Sequence, residues 1–124
     1  VNKMSENEEQ KFDMEALQQQ IIQQQLMEIE NQIIQIQNKK IEFEMIKNSL
    51  DEMKNKKDSQ ILVPLGSGVL ARAKIDEDQK VLVNVGMGIV VEKNIDDAKK
   101  IIDSQMKELE RAEDMLQDEI QKMI

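Results

Sequence analysis

Apolar residues recur three and four apart along the first half of the chain. Met14, Leu17 and Ile21 lead into Ile22, Leu26, Ile29, Ile33 and Ile36, and the pattern resumes as Phe43, Ile46, Leu50 and Met53. This spacing is a heptad seam with phase shifts near Ile21/Ile22 and Lys40. Neither Gly nor Pro occurs from Glu9 to Lys57, so one helix is predicted over 9–57, about 70 Å long at 1.5 Å per residue. Residues 1–8 are polar and are expected to fray. A second helix is predicted over 94–124, capped by Asn94, with Asp96 and Asp97 placing negative charge in its first turn. Its seam reads Ala98, Ile102, Gln105, Leu109, Ala112, Leu116, Glu119 and Met123, broadened by Ile101, Met106, Met115 and Ile120. Each helix alone exposes an apolar stripe, so the two are predicted to fold back as an antiparallel pair. The glutamine run Leu17 to Leu26 fits this helix, because Gln is a good helix former and the flanking heptads continue through it.

Between the helices the period changes from helical to strand-like, and the sequence repeats. Shifted by twenty residues, "ILVPLGSGVLARA" (Ile61 to Ala73) falls on "VLVNVGMGIVVEK" (Val81 to Lys93). Gly66 and Gly68 meet Gly86 and Gly88, and β-branched or Leu positions meet their like on either side. Each copy is a β-rich run, a Gly-x-Gly and a second β-rich run. That predicts two hairpins over 60–93, with Gly at the first loop position supplying positive φ and "DEDQ" at Asp76 to Gln79 joining them. Apolar side chains lie on both strand faces: Leu62, Leu70, Leu82 and Val90 oppose Ile61, Val63, Val69, Val83 and Ile89. Isolated two-stranded hairpins are marginal in water, so these strands need other strands and other faces. The expectation is oligomerisation, in one domain spanning 1–124.

Composition narrows the function. Phe12 and Phe43 are the two aromatic residues, so a compact globule built on large rings is not expected. Net charge is −8, which repels nucleic-acid phosphates, and "KNKK" at Lys54 to Lys57 closes the first helix, where positive charge offsets the dipole. No apolar run approaches the eighteen or so residues of a membrane span, and no signal peptide is visible. With no Cys there are no disulfides, and a cytoplasmic protein is the expectation.

Catalytic chemistry finds no foothold. His and Cys are both absent, which removes the usual triads and the preferred zinc ligands. "GSG" and "GMG" lack the continuation of a phosphate loop and are flanked by strands. "DEDQK" at Asp76 starts like a calcium loop, but its sixth position is Val81 and its twelfth Met87, so it reads as a turn. No enzyme, metal or cofactor is expected. Nine Met residues, several toward the distal helix ends, suit either coil packing or a promiscuous surface.

"VPLGSGVLARAKI" followed by "VLVNVGMGIVVEKNIDDAKKIID" resembles the α-class subunit of prefoldin, with the motif match confined to Ile61 to Asp103. The Gly-rich first hairpin looks more like archaeal members than eukaryotic ones. The resemblance implies a mainly α fold with a small β insert and a hexameric, ATP-independent holdase chaperone. In the family two α-class and four β-class subunits join their hairpins into a β-barrel platform, coiled-coil tips grip unfolded proteins, and clients pass to a group II chaperonin. Carried onto this chain, the barrel interface would be Val63, Leu65, Val69, Ala71, Val81, Val83, Val85, Ile89 and Val91. The client-binding tips would be Phe12, Met14, Leu17, Ile21 and Ile22 on the first helix and Leu116, Ile120, Met123 and Ile124 on the second. Antiparallel pairing brings Ile124 to about residue 28 and leaves Met14, Leu17, Ile21 and Ile22 without a partner in the chain. Either further C-terminal chain covers them, as in longer family members, or they form an exposed client surface. A scaffold or filament subunit of the same architecture is the alternative.

Overall fold

A computed structural model describes residues 5–124. The element order is α1 (Glu6–Met53), β1 (Gln60–Gly66), β2 (Val69–Lys74), β3 (Lys80–Gly86), β4 (Ile89–Asn94) and α2 (Ile95–Met123). Helix, two hairpins and helix were all legible, and the bounds moved by a few residues. The chain divides into two units: Lys40–Glu108, and the described residues up to Lys39 together with Leu109–Ile124.

α1 starts three residues earlier than the pattern predicts because Ser5 and Glu8 form a capping box. Ser5 Oγ accepts from the Glu8 amide at 3.3 Å and the Glu8 carboxylate accepts from the Ser5 amide at 3.4 Å. Of the residues expected to fray, 1–4 lie outside the described residues and Glu6 to Glu8 are helical. The helix ends at Met53, four residues short of expectation, because Asn55 turns into the left-handed region at φ 61°. "KNKK" therefore begins just beyond the helix and does not neutralise its last turn. α2 is capped as predicted, with Asn94 Oδ1 accepting from the Asp97 amide at 2.7 Å.

Both seams differ from the expected ones in an instructive way. The half-buried or buried positions of α1 run Leu26, Ile29, Ile33, Ile36, Lys40, Phe43, Lys47 and Leu50, a 3-4 alternation with no shift at Lys40. Lysine holds seam positions there, so a hydrophobicity pattern sees a break that the helix does not have. In α2 the expected Ile102, Leu109, Leu116 and Met123 are correct. Their alternates, however, are Lys99, Met106, Glu113 and Ile120, while Gln105, Glu119 and Met115 face solvent. The expected frame holds at Ala98, which is buried, and at Ala112, which is half-buried, and departs from the structure where it put Gln105 and Glu119 in the seam.

Within the Lys40–Glu108 unit the helices are antiparallel, fixed by three ion pairs: Lys47–Asp103 at 2.6 Å, Lys99–Asp51 at 2.7 Å and Lys54–Asp96 at 2.9 Å. Ile95 and Ala98 are buried here. In the other unit Ile33 is buried, and Met123 and Glu119 lie beside Gln25, Glu28, Ile29 and Gln32 around an open cleft. This is close to the register the sequence predicts.

The strands form two separate two-stranded antiparallel sheets, β1–β2 and β3–β4. Their registers are superimposable after a shift of twenty: Val63↔Ala71 and Pro64↔Leu70 in one, Val83↔Val91 and Asn84↔Val90 in the other, each slipping at Leu65 or Val85. The two loop residues are Ser67–Gly68 and Met87–Gly88, all with positive φ, as a type I′ turn requires. Gly66 and Gly86 are thus the last strand residues, beside the slip, and not the first loop positions that the spacing suggests. In the second hairpin the Asn84 side chain accepts from the Gly86 amide at 2.9 Å, spanning the slip. Backbone hydrogen bonds anchor the insert: Asp58 to Ile75 O at 2.7 Å, Ile75 to Ser59 O at 3.0 Å and Ile95 to Gln79 O at 3.1 Å. "DEDQK" is a turn, as read, with Asp78 accepting from the Lys57 amide at 3.2 Å.

Candidate functional site

Two surfaces stand out, one in each unit. The first is the pair of hairpins. Among the described residues each strand is paired along one edge, so every hairpin leaves both outer edges unpaired. No closed barrel forms within one chain. Of the sequence-predicted interface, Val63, Leu65, Val69, Val85 and Ile89 are exposed, and Ala71, Val81, Val83 and Val91 are half-buried. Part of that cover is the chain's own: Val81 and Val83 border a cleft of about 420 Å³ with Phe43, Ile46, Leu50, Ala98, Ile101 and Ile102. The opposite strand face carries Leu62, Leu70, Leu82 and Val90, exposed by 62, 55, 74 and 54 %. These four are more open than most of the nominated set. Their signal was present in the repeat, where Leu62 falls on Leu82 and Leu70 on Val90.

The second surface is the N-terminal part of α1. From Glu6 to Gln25 every residue is exposed, and Leu26 is the first with partial cover. Phe12 (63 %), Met14 (62 %) and Leu17 (57 %) are more than half exposed. Ile21 and Ile22 are exposed as well. Met14, Leu17 and Ile21 share one helix face, being three and seven residues apart. The nominated residues of α2 divide: Leu116, Ile120 and Met123 are half-buried in the seam, whereas Ile124 is 93 % exposed. The structure therefore sets an exposed group on α1 apart from a packed group on α2, where the sequence treats both as tips.

The chain exposes 10387 Å². A globular monomer of its mass would expose about 6,800 Å². Among the described residues no group of His, Cys, Asp or Glu could hold a metal ion, and no helix is long and apolar enough to cross a membrane.

Electrostatics at the helix ends are local. The Lys54 hydrogen bond, and then its charge, hold the Asp96 carboxyl below the usual carboxylate range. The same bond raises Lys54, and a hydrogen bond to Asp103 raises Lys47.

Two helices flanking a duplicated β-hairpin define a coiled-coil protein with an edge-exposing insert. The chain belongs to the prefoldin family, whose subunit description matches residues 22–124. Its fold is also that of a filamentous PFD from Methanocaldococcus jannaschii, solved by cryo-electron microscopy, with a TM-score of 0.77 at 23 % identity. That match covers 84 % of this chain and 87 % of the other. No curated protein matches. Prefoldin is a non-enzymatic, chaperone-type family, and membership carries an expectation of assembly with other prefoldin subunits.

Proposed function

We propose that this chain is an α-class prefoldin subunit: an ATP-independent, cytoplasmic holdase that binds unfolded proteins and delivers them to a group II chaperonin. The α-class assignment rests on the duplicated hairpin, since β-class subunits carry one. In this reading Val63, Leu65, Val69, Ala71, Val81, Val83, Val85, Ile89 and Val91 join β-class subunits, two α with four β, in a shared barrel. Phe12, Met14, Leu17, Ile21 and Ile22 then hold clients. The observation that carries the reading is the exposed apolar stripe of Met14, Leu17 and Ile21 on one face of α1, with Phe12 and Ile22 exposed on its other sides. Exposed apolar surface of that extent marks an interaction site.

The test is light scattering from a denatured protein diluted into the assembled complex. Suppression of aggregation that is lost on deleting residues 9–24 supports the holdase. Unchanged aggregation overturns it. A second reading, a filament or scaffold subunit without clients, is favoured by the filamentous state of the similar solved structure. It predicts long assemblies in negative-stain images and no suppression. Assembly itself is tested by Val83→Asp with Val85→Asp, which should leave a helical but dissociated chain, because a charge in an apolar interface is costly unless paired. Sedimentation of an intact oligomer would contradict the barrel.

A further inference from the structure

Charge is divided unequally between the two units. The Lys40–Glu108 unit is nearly balanced, with thirteen acidic residues against twelve basic. The other unit carries twelve acidic residues against four basic among its described residues, so most of the chain's negative charge lies there. The imbalance is sharpest in the exposed first turns of α1, on all sides of the helix. Glu6, Glu8, Glu9, Asp13 and Glu15 surround Phe12 and Met14, with Lys11 the one cation in that stretch. All are exposed.

An apolar face by itself would take any unfolded segment. Apolar side chains set among uncompensated carboxylates do not, because their field attracts one sign of chain and repels the other within the screening length of about 8 Å at physiological salt. We infer that the exposed N-terminal face of α1 selects unfolded segments that are both apolar and net positive, and turns away acidic ones. The inference rests on the holdase reading and adds a substrate class to it. The apolar residues supply sequence-independent affinity; the carboxylates supply discrimination and faster capture. The same charge opposes association between two such faces, which keeps a sticky surface from covering itself.

The experiment uses the assembled oligomer and one permanently unfolded, carboxymethylated protein in two forms. Succinylating its lysines makes it acidic; amidating its carboxylates makes it basic, with the same apolar sequence. Fluorescence anisotropy then gives the Kd of each. At 50 mM salt the basic form should bind roughly tenfold more tightly, and at 500 mM salt the gap should close as the charges are screened. Glu9→Gln, Asp13→Asn and Glu15→Gln together should abolish the gap while keeping binding of both forms, with helicity checked by circular dichroism. Leu17→Ser with Ile21→Ser should weaken both forms alike. Equal affinity of the two forms at low salt overturns charge selection and leaves the holdase standing. A gap that survives the triple substitution assigns the selection to another part of the oligomer and also overturns the inference. Binding of neither form overturns the holdase reading, and this inference with it.

Discussion

Lys47 Nζ sits 2.6 Å from Asp103 Oδ1, and seven residues on, just past the end of α1, Lys54 Nζ sits 2.9 Å from Asp96 Oδ1. Lys47 comes from a seam position, as does Lys99, which reaches Asp51 in the reverse sense at 2.7 Å. Polar residues in a seam fix the register of a helix pair at some cost in stability. Register decides which residues of the two helices meet within this unit. Lys47→Asp places a third acid beside Glu44 and Asp51 on α1 and opposite Asp103, and should lower the melting temperature by a few degrees. Adding Asp103→Lys should recover most of that loss in circular-dichroism melts. No recovery would mean that the pair is incidental to the helix pairing.

The pH dependence of this end follows from the same pairs. The Lys54 hydrogen bond depresses Asp96, so the contribution of this carboxylate is complete above its ordinary value and lost as pH falls through the depressed one. Lys47 and Lys54 are raised by their partners, so their contribution is complete below the ordinary lysine value and lost as pH rises through the raised one. Asp96→Asn should therefore melt earlier than the parent at neutral pH. The difference should vanish well below roughly pH 4, where ordinary carboxylates protonate. Paired thermal scans across pH measure it.

The α2 cap is a single bond, from the Asp97 amide to Asn94 Oδ1 at 2.7 Å. Asn94→Ala should destabilise the protein by about 1 kcal/mol, and Asn94→Asp should restore most of it. Denaturant titration of the assembled protein reads both values. Because β4 ends where α2 begins, loss of the cap should also raise amide exchange at Asp96 and Asp97.

The hairpin turns separate backbone strain from crowding. A Cβ on Gly86 would meet nothing within 4 Å, yet its φ is +115°, a conformation that L residues rarely adopt. Gly86→Ala should thus destabilise by about 1–3 kcal/mol through the backbone alone. Met87, next to it, holds φ 53° and is fully exposed at the first position of a type I′ turn, where Asn is favoured. Met87→Asn should stabilise the fold, measured as a higher denaturant midpoint.

The sequence by itself determined the element order, the α2 cap and the duplicated hairpins. These depend on short-range rules: heptad spacing, an Asn before an acidic first turn, and Gly-x-Gly between β-branched runs. The early start of α1 was equally local, since Ser5 and Glu8 spell a capping box, but a polar stretch hides it from a reading that follows apolar residues. What the tertiary structure decided was which flank of each stripe packs. Lys47 and Lys99 take seam positions because carboxylates on the opposite helix receive them, and no pattern within one helix reveals that partner. It also decided the fate of the candidate tips. Phe12 to Ile22 and Leu116 to Met123 both carry apolar residues at helical spacing, yet the first set is exposed and Leu116, Ile120 and Met123 are half-covered. The reason is register: residues 116–123 of α2 lie against residues 25–32 of α1, so they are half-covered by a helix that no pattern within α2 alone reveals.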